Sequence, residues 1–559
     1  MRKNIGIFII LLCVVAFAGC AKLPEYDVPE EDVHYTIPEP TKPVPKVHTG
    51  YISSLSTEVN YYDADGMHVG SFARGTQVEY IMTSDGKTAI QVDGHNVYLH
   101  SSGQVVAEAG EVIPKHTLYV RSAVNLRDQD GRILDTLLEK GTAVEVTGYD
   151  YLESGRAHMY KVGEAGYVMP WYLTDTEAAA LENYNGDGNY PYHEERTDLY
   201  GGGGAANLDY FPREKGAIAG NEMPSECRAL YIASWCVPYI DQYIEIADES
   251  GINAFVVDIS DGTSIGYAAG VMSAYCPSAV ASAQNSVEDY QAAIKKLKDK
   301  GYYVIGRIIA FNDGLLIADH PEFAITNTAG NPMNLAGCYW ATLYNRDVWQ
   351  FKVDLAVEAV ELMGFNEIQY DYVRFPELTR KYEKDGTINY HNTYNETKAQ
   401  AIQRFLMYAT DIIHESGAYV SADVFGESAY TYVTAYGQYW PAISNVVDVI
   451  SGMPYPDHFT PTGKYYPWEH PYDTLFNWGY CVRERQRETA TPAVVRTWIQ
   501  AYDSVREPYV TYGPTELLSQ IRALRATDNT GGYMTWNAGS SIDKYRSLMS
   551  AFTPPEEEG

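Results

Sequence analysis

The chain has 559 residues, too many for one hydrophobic core, so several domains are expected. Hydrophobic residues make up 45% and aromatics 13%, with 49 tyrosines, which excludes wholesale disorder. A formal charge of −32 argues against nucleic acid or anionic lipid as the main partner, because phosphate binding depends on Lys and Arg; a neutral substrate fits better.

At the N-terminus, Arg2 and Lys3 precede the apolar run Ile5 to Phe17, the length of a signal h-region rather than a membrane span, and Ala18-Gly19-Cys20 follows. This start resembles a bacterial lipoprotein signal. The resemblance implies cleavage before Cys20, acylation of that cysteine, and an extracytoplasmic protein anchored to the cell membrane by lipid; a simple secreted peptide or an uncleaved anchor is the alternative. Residues 21–47, rich in Pro and Glu with little periodicity, read as a disordered tether. Beyond Cys13 and Cys20 five cysteines remain, and an odd number cannot pair fully within one chain, although Cys227 with Cys236 or Cys276 with Cys338 could. No CxxC occurs, and neither a metal nor a cofactor is expected.

An internal repeat follows. Val59-Asn60-Tyr61-Tyr62-Asp63-Ala64-Asp65-Gly66, with Gly75-Thr76-Gln77-Val78-Glu79, matches Val124-Asn125-Leu126-Arg127-Asp128-Gln129-Asp130-Gly131, with Gly141-Thr142-Ala143-Val144-Glu145. Each copy has short alternating strands and an Asp-Gly turn suited to φ > 0. The second copy closes on Gly166-Tyr167-Val168 and resembles a bacterial Src-homology-3-like wall-associated domain; the first is a more degenerate version. Two small all-β barrels are therefore expected, over 48–110 and 111–176, serving as peptidoglycan contacts or as spacers. Residues 177–226, with Asn183 to Tyr190 and Gly201 to Gly204, read as a flexible linker.

From Arg228 onward apolar strands alternate with helical periodicity. Strands are predicted at Ala229 to Ser234, Ala254 to Ile259, Tyr302 to Ile309, Glu367 to Tyr372, Tyr419 to Val424, Val447 to Ser451, Val494 to Ile499 and Gly532 to Trp536. Helices are predicted at Tyr239 to Ser250, Ser286 to Lys300, Arg346 to Met363, Lys398 to Ser416 and Pro514 to Thr527. Parallel strands need crossover helices, so the pattern implies an α/β fold, a (β/α)8 TIM-like barrel over 227–553. An open doubly wound sheet is the runner-up, but no glycine-rich phosphate loop follows the first strand.

In such a barrel the chemistry sits at the C-terminal ends of the strands. Those ends carry Asp258 and Asp261, Asn312 and Asp313, Asp371 and Arg374, Asp423 and Glu427, Tyr455, Asp457 and His458, Gln500 and Asp503, and Trp536 with Asn537. Trp340, Tyr370, Trp440 and Trp498 are nearby in sequence. Acids interleaved with aromatics suit neutral sugars, whose ring faces stack on aromatics while their hydroxyls bond carboxylates and amides. Glycosidic cleavage needs one protonated and one ionised carboxyl. Asp371 and Asp423, on adjacent predicted strands, are the best pair, with Glu427 as an alternative acid. Arg374 would hold one carboxylate ionised, or else form a plain strand-end salt bridge with Asp371. Asp258, Asp313, Arg374, Tyr455, Trp498, Gln500, Trp536 and Asn537 are expected to contact substrate. No HExxH and no G-x-S-x-G elbow occurs, which disfavours zinc and serine hydrolysis.

The segments Glu367-Ile-Gln-Tyr-Asp-Tyr-Val-Arg-Phe-Pro376, Val420-Ser-Ala-Asp-Val-Phe-Gly426 and Phe255-Val-Val-Asp-Ile259 resemble a glycoside hydrolase family once known only as a domain of unknown function, a relative of amylase-like barrels. The resemblance spans about 228–540 and implies a barrel acting on a polysaccharide, with Asp371 and Asp423 at the matching acidic positions. A glycan- or peptidoglycan-binding lipoprotein without catalysis is the alternative function. Residues Glu377 to Asn395 are expected to form a loop over the site.

Overall fold

The computed structural model describes residues 46–54, 58–83, 86–109, 117–151, 158–182 and 193–552; Cys20, the signal segment and nearly all of the tether lie outside them. The chain divides into two compact units, Met1–Pro114 with His458–Lys464, and Lys115–Asp457 with Tyr465–Gly559.

In the first unit seven short strands, from His48–Ile52 to Val105–Val106, form one antiparallel sheet around Ile52, Val59, Val78, Ile90, Val97 and Leu99. Numbered by sequence, their spatial order is 3-2-6-5-4-1-7. Strands from Thr117–Val120 to Leu173–Thr174 repeat that order in a second sheet. The two copies share the turn between their second and third strands. Asp63 accepts hydrogen bonds from the amides of Asp65 and Met67, and Asp128 does so from Asp130 and Arg132. Gly66 and Gly131 then take φ values of 79° and 82°, which a side chain would penalise.

The second sheet and the barrel belong to one unit and are joined by buried polar contacts. Arg127 Nη2 donates to Asp411 Oδ2 at 2.7 Å, and the Tyr172 hydroxyl donates to the same oxygen at 2.7 Å. Arg346 Nε donates to Asn125 at 2.9 Å, and the Ile133 amide donates to Gln350 at 3.0 Å. Both Arg127 and Asp411 are buried, so removing one strands the other without its counter-charge. Arg127→Ala is expected to cost about 3–5 kcal/mol, read as a lowered unfolding midpoint in urea. An unchanged midpoint would show that the Arg127–Asp411 pair contributes no stability to the unit.

Eight parallel strands make the barrel: β1 (Cys227–Ile232), β2 (Ala254–Ser260), β3 (Tyr303–Ile309), β4 (Glu367–Asp371), β5 (Tyr419–Phe425), β6 (Val449–Met453), β7 (Val494–Val495 and Thr497–Gln500, split at Arg496) and β8 (Gly532–Trp536). The two halves of β7 form the two ends of the hydrogen-bonded sheet. Val494–Val495 pairs with β6 and Thr497–Gln500 with β8, so one segment closes the ladder on itself. The crossover helices are α1 (Ile240–Asp248), α2 (Val287–Asp299), α3 (Arg346–Met363), α4 (Lys398–Glu415), α5 (Trp440–Ser444), α6 (Pro471–Glu488), α7 (Pro514–Ala526) and α8 (Ile542–Phe552). The barrel thus replaces the open-sheet alternative. Side-chain caps start several helices: Ser286 accepts from the Asp289 amide, and Thr397 with Gln400 forms a capping box on α4.

Part of the expected linker packs on the barrel. Residues 183–192 lie outside the described residues, but Ala205, Leu208 and Tyr210 are buried with Ala399, Val433, Tyr439 and Ala442. Farther on, the Ile218 amide donates to the Tyr419 hydroxyl, and Asn221 Nδ2 donates to the carbonyls of Asn366 and Gly417. Ile218 and Met223 pack onto the barrel core, at the N-terminal ends of the strands. Glycine-rich composition concealed the apolar side chains that make this stretch a strap. The five described cysteines are all free, so neither candidate pair is bonded.

Candidate active site

Strand alternation sorts the side chains. On β4, Glu367, Gln369 and Asp371 point into the barrel, while Tyr370 points out, donating to the Lys352 carbonyl on α3 and packing on Phe405 of α4. Tyr370 is therefore a core residue and not a sugar contact. Trp440 is another, set against Trp478 of α6 and donating to Gln486. The lowest interior layer is an ion pair: Arg496 Nη1 bonds both oxygens of Glu367 at 2.8 and 2.9 Å, and Tyr303 donates to Glu367 at 2.9 Å.

At the opposite, C-terminal end the interior holds three aspartates around one arginine that the sequence reading missed. Arg307, on β3, donates from Nη1 to Asp258 Oδ1 at 2.7 Å and from Nη2 to Asp371 Oδ2 at 2.5 Å. Its Nε lies 3.2 Å from Asp371 Oδ2 and 4.0 Å from Asp423 Oδ2. The only outward sign was one charge inside the apolar run Tyr303-Val-Ile-Gly-Arg-Ile-Ile309. Asp258 is sealed, with its second oxygen taken by the Tyr231 hydroxyl. It braces Arg307 instead of meeting substrate; burial, ahead of Arg307's opposing effect, pushes its carboxyl up to about 6.

Asp371 and Asp423 receive opposite treatment. Asp371 is bonded by the guanidinium on one oxygen and by the Tyr372 amide, at 2.6 Å, on the other. Asp423 accepts one hydrogen bond, from Trp498 Nε1 at 2.8 Å, while its Oδ2 is buried with no hydrogen-bond partner. Burial above all, then the neighbouring Asp371, pushes the Asp423 carboxyl well above the usual range. A pair on adjacent strands is thereby split into a charge-compensated carboxylate and a group that favours keeping its proton.

Aromatics wall this cluster. Trp536 is half-buried, with Arg307 Cζ 5.4 Å above its ring, and it touches Tyr231 and Trp498 at centroid distances of 4.7 and 5.6 Å. Tyr455 lies nearly parallel to Trp536 at 6.5 Å. A partly exposed tryptophan ring in this wall is the kind of group on which a sugar can stack.

The other expected residues are held by partners outside the aspartate cluster. Arg374 does not pair with Asp371. Tyr372 adopts φ of 53°, a left-handed turn that a tyrosine rarely takes, and the chain carries Arg374 into a cage of Trp340, Tyr372, Phe425 and Tyr436. Glu427 accepts from Tyr432 and Tyr436, both at 2.9 Å, and burial raises its carboxyl, so its bonds go to tyrosines and not to the aspartate cluster. Asp313 caps the helix Gly314–Asp319 and pairs with buried Lys352 at 2.5 Å. Gln500 is an internal brace: its Oε1 accepts from the Asp457 amide and its Nε2 donates to the Tyr502 carbonyl. Asn537 is buried and holds the Ser541 carbonyl at 3.3 Å. Within the insertion Glu377 to Asn395, Ile388–Asn389 pairs with Thr326–Asn327 from the loop after β3. Among the described residues, no group of three His, Cys, Asp or Glu side chains is arranged to hold a metal ion.

A family profile described as "Putative glycosyl hydrolase domain" matches residues 229–542. The chain belongs to that family. The family region contains β2 to β8, the whole aspartate cluster and its aromatic wall, and leaves out both small antiparallel sheets. Among solved structures, the chain is similar to a hypothetical protein from Ruminiclostridium thermocellum at 31% identity, covering 35% of this chain and 97% of that one with a TM-score of 0.29. It is similar to the PgaB (BpsB) glycoside hydrolase domain from Bordetella bronchiseptica at 11% identity, covering 59% and 100%, with a TM-score of 0.42. A class V chitinase from Pseudomonas fluorescens matches at 12% identity over 58% and 100%, with a TM-score of 0.38. No curated protein matches the chain.

Proposed function

We propose that the protein is a glycoside hydrolase cutting a cell-wall or extracellular polysaccharide, with Asp423 as proton donor and Asp371 as the ionised partner. The observation that carries this reading is the contrast within the pair. Asp423, buried beside another carboxylate, favours its neutral form and can release a proton to the glycosidic oxygen. Asp371, clamped by Arg307 and the Tyr372 amide, stabilises the positive charge that develops at the anomeric carbon, as nucleophile or through a water. Trp536 supports the sugar ring, and Trp498 orients Asp423 through its indole N–H.

In this proposal Cys20 carries the lipid that holds the enzyme outside the cell, and the two small β domains contact peptidoglycan or set the stand-off distance. The alternative is a glycan binder without catalysis, in which the same acids only hydrogen-bond sugar hydroxyls. The test is reducing-end release from purified peptidoglycan and a polysaccharide panel. Release from at least one polymer is expected, and the anomeric configuration of the product separates nucleophile from base. A glycan that binds tightly yet yields no reducing ends would sink the hydrolase reading in favour of the binder.

A further inference from the structure

Arg374 differs from the other buried arginines of the barrel. Arg307, Arg346 and Arg496 each meet a carboxylate oxygen, at 2.5, 2.5 and 2.8 Å. The nearest carboxylate to Arg374 is Glu377, at 3.8 Å, beyond hydrogen-bonding distance. Among the described residues its guanidinium donates one hydrogen bond, from Nη1 to the Phe375 carbonyl at 3.1 Å. Arg374 is 4% exposed, and its remaining nitrogens keep a little solvent contact, because none of them is both buried and unbonded. Four rings surround it, with Cζ 4.4 Å from Phe425, 4.9 Å from Trp340, 5.0 Å from Tyr372 and 5.7 Å from Tyr436. Trp340 is itself buried, and its indole Nε1 has no acceptor.

We infer that this cage receives a carboxylate carried by the substrate, so that the glycan accepted at Asp371 is acidic, with a uronic-acid or similar carboxyl-bearing sugar. The inference rests on the hydrolase site proposed above, which it deepens. A guanidinium with unused donors matches a planar carboxylate bidentately, and flat aromatic walls suit a planar group better than a tetrahedral phosphate. The position fits as well: Tyr372 donates its amide to Asp371 at 2.6 Å and its ring forms one wall of the cage, tilted against Trp340 at 5.9 Å, so the cage adjoins Asp371. The net charge of −32 opposes an acidic polymer at long range, but salt screens that field beyond about 8 Å, and the local donors then decide.

The experiment uses uronic-acid polysaccharides and the same polymers after carboxyl reduction, which converts each uronate to a neutral hexose. Affinities are measured by titration calorimetry at physiological ionic strength with the full chain. Wild type is expected to prefer the acidic member of at least one pair by about ten- to a hundredfold. In Arg374→Gln that preference disappears while binding of the reduced member is unchanged, and Arg374→Lys restores part of it. Equal wild-type affinity within every pair, or binding to neither member of any pair, overturns the inference without reference to a variant. So does an Arg374→Gln protein that weakens both members alike. A retained acidic preference with no reducing-end release would leave the carboxylate site standing and remove the hydrolase reading alone.

Discussion

Asp423→Asn is expected to lower kcat/KM for reducing-end release by about 10²–10⁴-fold, and Asp371→Asn to lower it at least as far. The reasoning starts from what each carboxyl can exchange. An amide at position 423 keeps the shape and can still accept from Trp498 Nε1, but it has no proton to give the leaving oxygen. An amide at position 371 keeps the contact with the Tyr372 N–H but presents no charge to the anomeric carbon. Leaving-group chemistry separates the two roles. A nitrophenyl glycoside departs without protonation, so it is expected to recover most of the activity of Asp423→Asn and little of that of Asp371→Asn. The pH profile carries the same assignment: Asp423 is competent while protonated, so activity falls as pH rises through its elevated value. Wild-type rates in both variants would remove these residues from the site, and rescue of the wrong variant would exchange their roles.

Replacing Arg307 is expected to damage stability and chemistry together. Arg307→Met leaves Asp258 and Asp371 buried without the cation that bonds both, a loss of about 3–5 kcal/mol. Arg307→Lys returns the charge but cannot bond two carboxylates from one planar group, so only part of the loss is recovered. The deficit depends on pH with a definite sign. Asp258 has its folded value raised from 3.8 to about 6, so the stability due to its protonation is complete at acid pH and fades as pH rises through about 6. In the variant the uncompensated carboxylates ionise at greater cost, so the deficit in unfolding free energy is smallest near pH 4 and widens toward neutrality. The second readout is catalytic: the Arg307 charge holds Asp423 down, so its removal moves the alkaline limb of kcat/KM upward in pH even as the rate falls. A deficit independent of pH, together with an unmoved limb, would reduce Arg307 to ordinary packing.

The barrel was legible because its signals are local. Each strand is a short, mostly apolar run, and α3 starts at Arg346 and ends at Met363, where the periodicity placed it. Helix α6 was missed: Pro471, Gly479 and the polar run Arg483 to Glu488 obscure its apolar stripe, and its buried face, including Leu475, Trp478 and Val482, shows only after packing. Asp371 and Asp423 were singled out because an acid at the end of an apolar strand is costly to bury. Arg374 was assigned the wrong partner. Three residues of separation made Asp371 look adjacent, but the left-handed turn at Tyr372 sends the arginine among aromatic rings.

The amino-acid order by itself determined the strand and helix alternation, the repeated turn of the small β domains, and which carboxyls stand at strand ends, because period, turn chemistry and burial cost act between near neighbours. Tertiary structure alone decided the partnerships. Asp258, Arg307, Asp371 and Asp423 come from four neighbouring strands and meet only when those strands pair in register. Which carboxyl keeps its proton follows from ångström-scale distances and exclusion of water, since Coulomb interaction and desolvation depend on separation and burial in space and not on spacing along the chain.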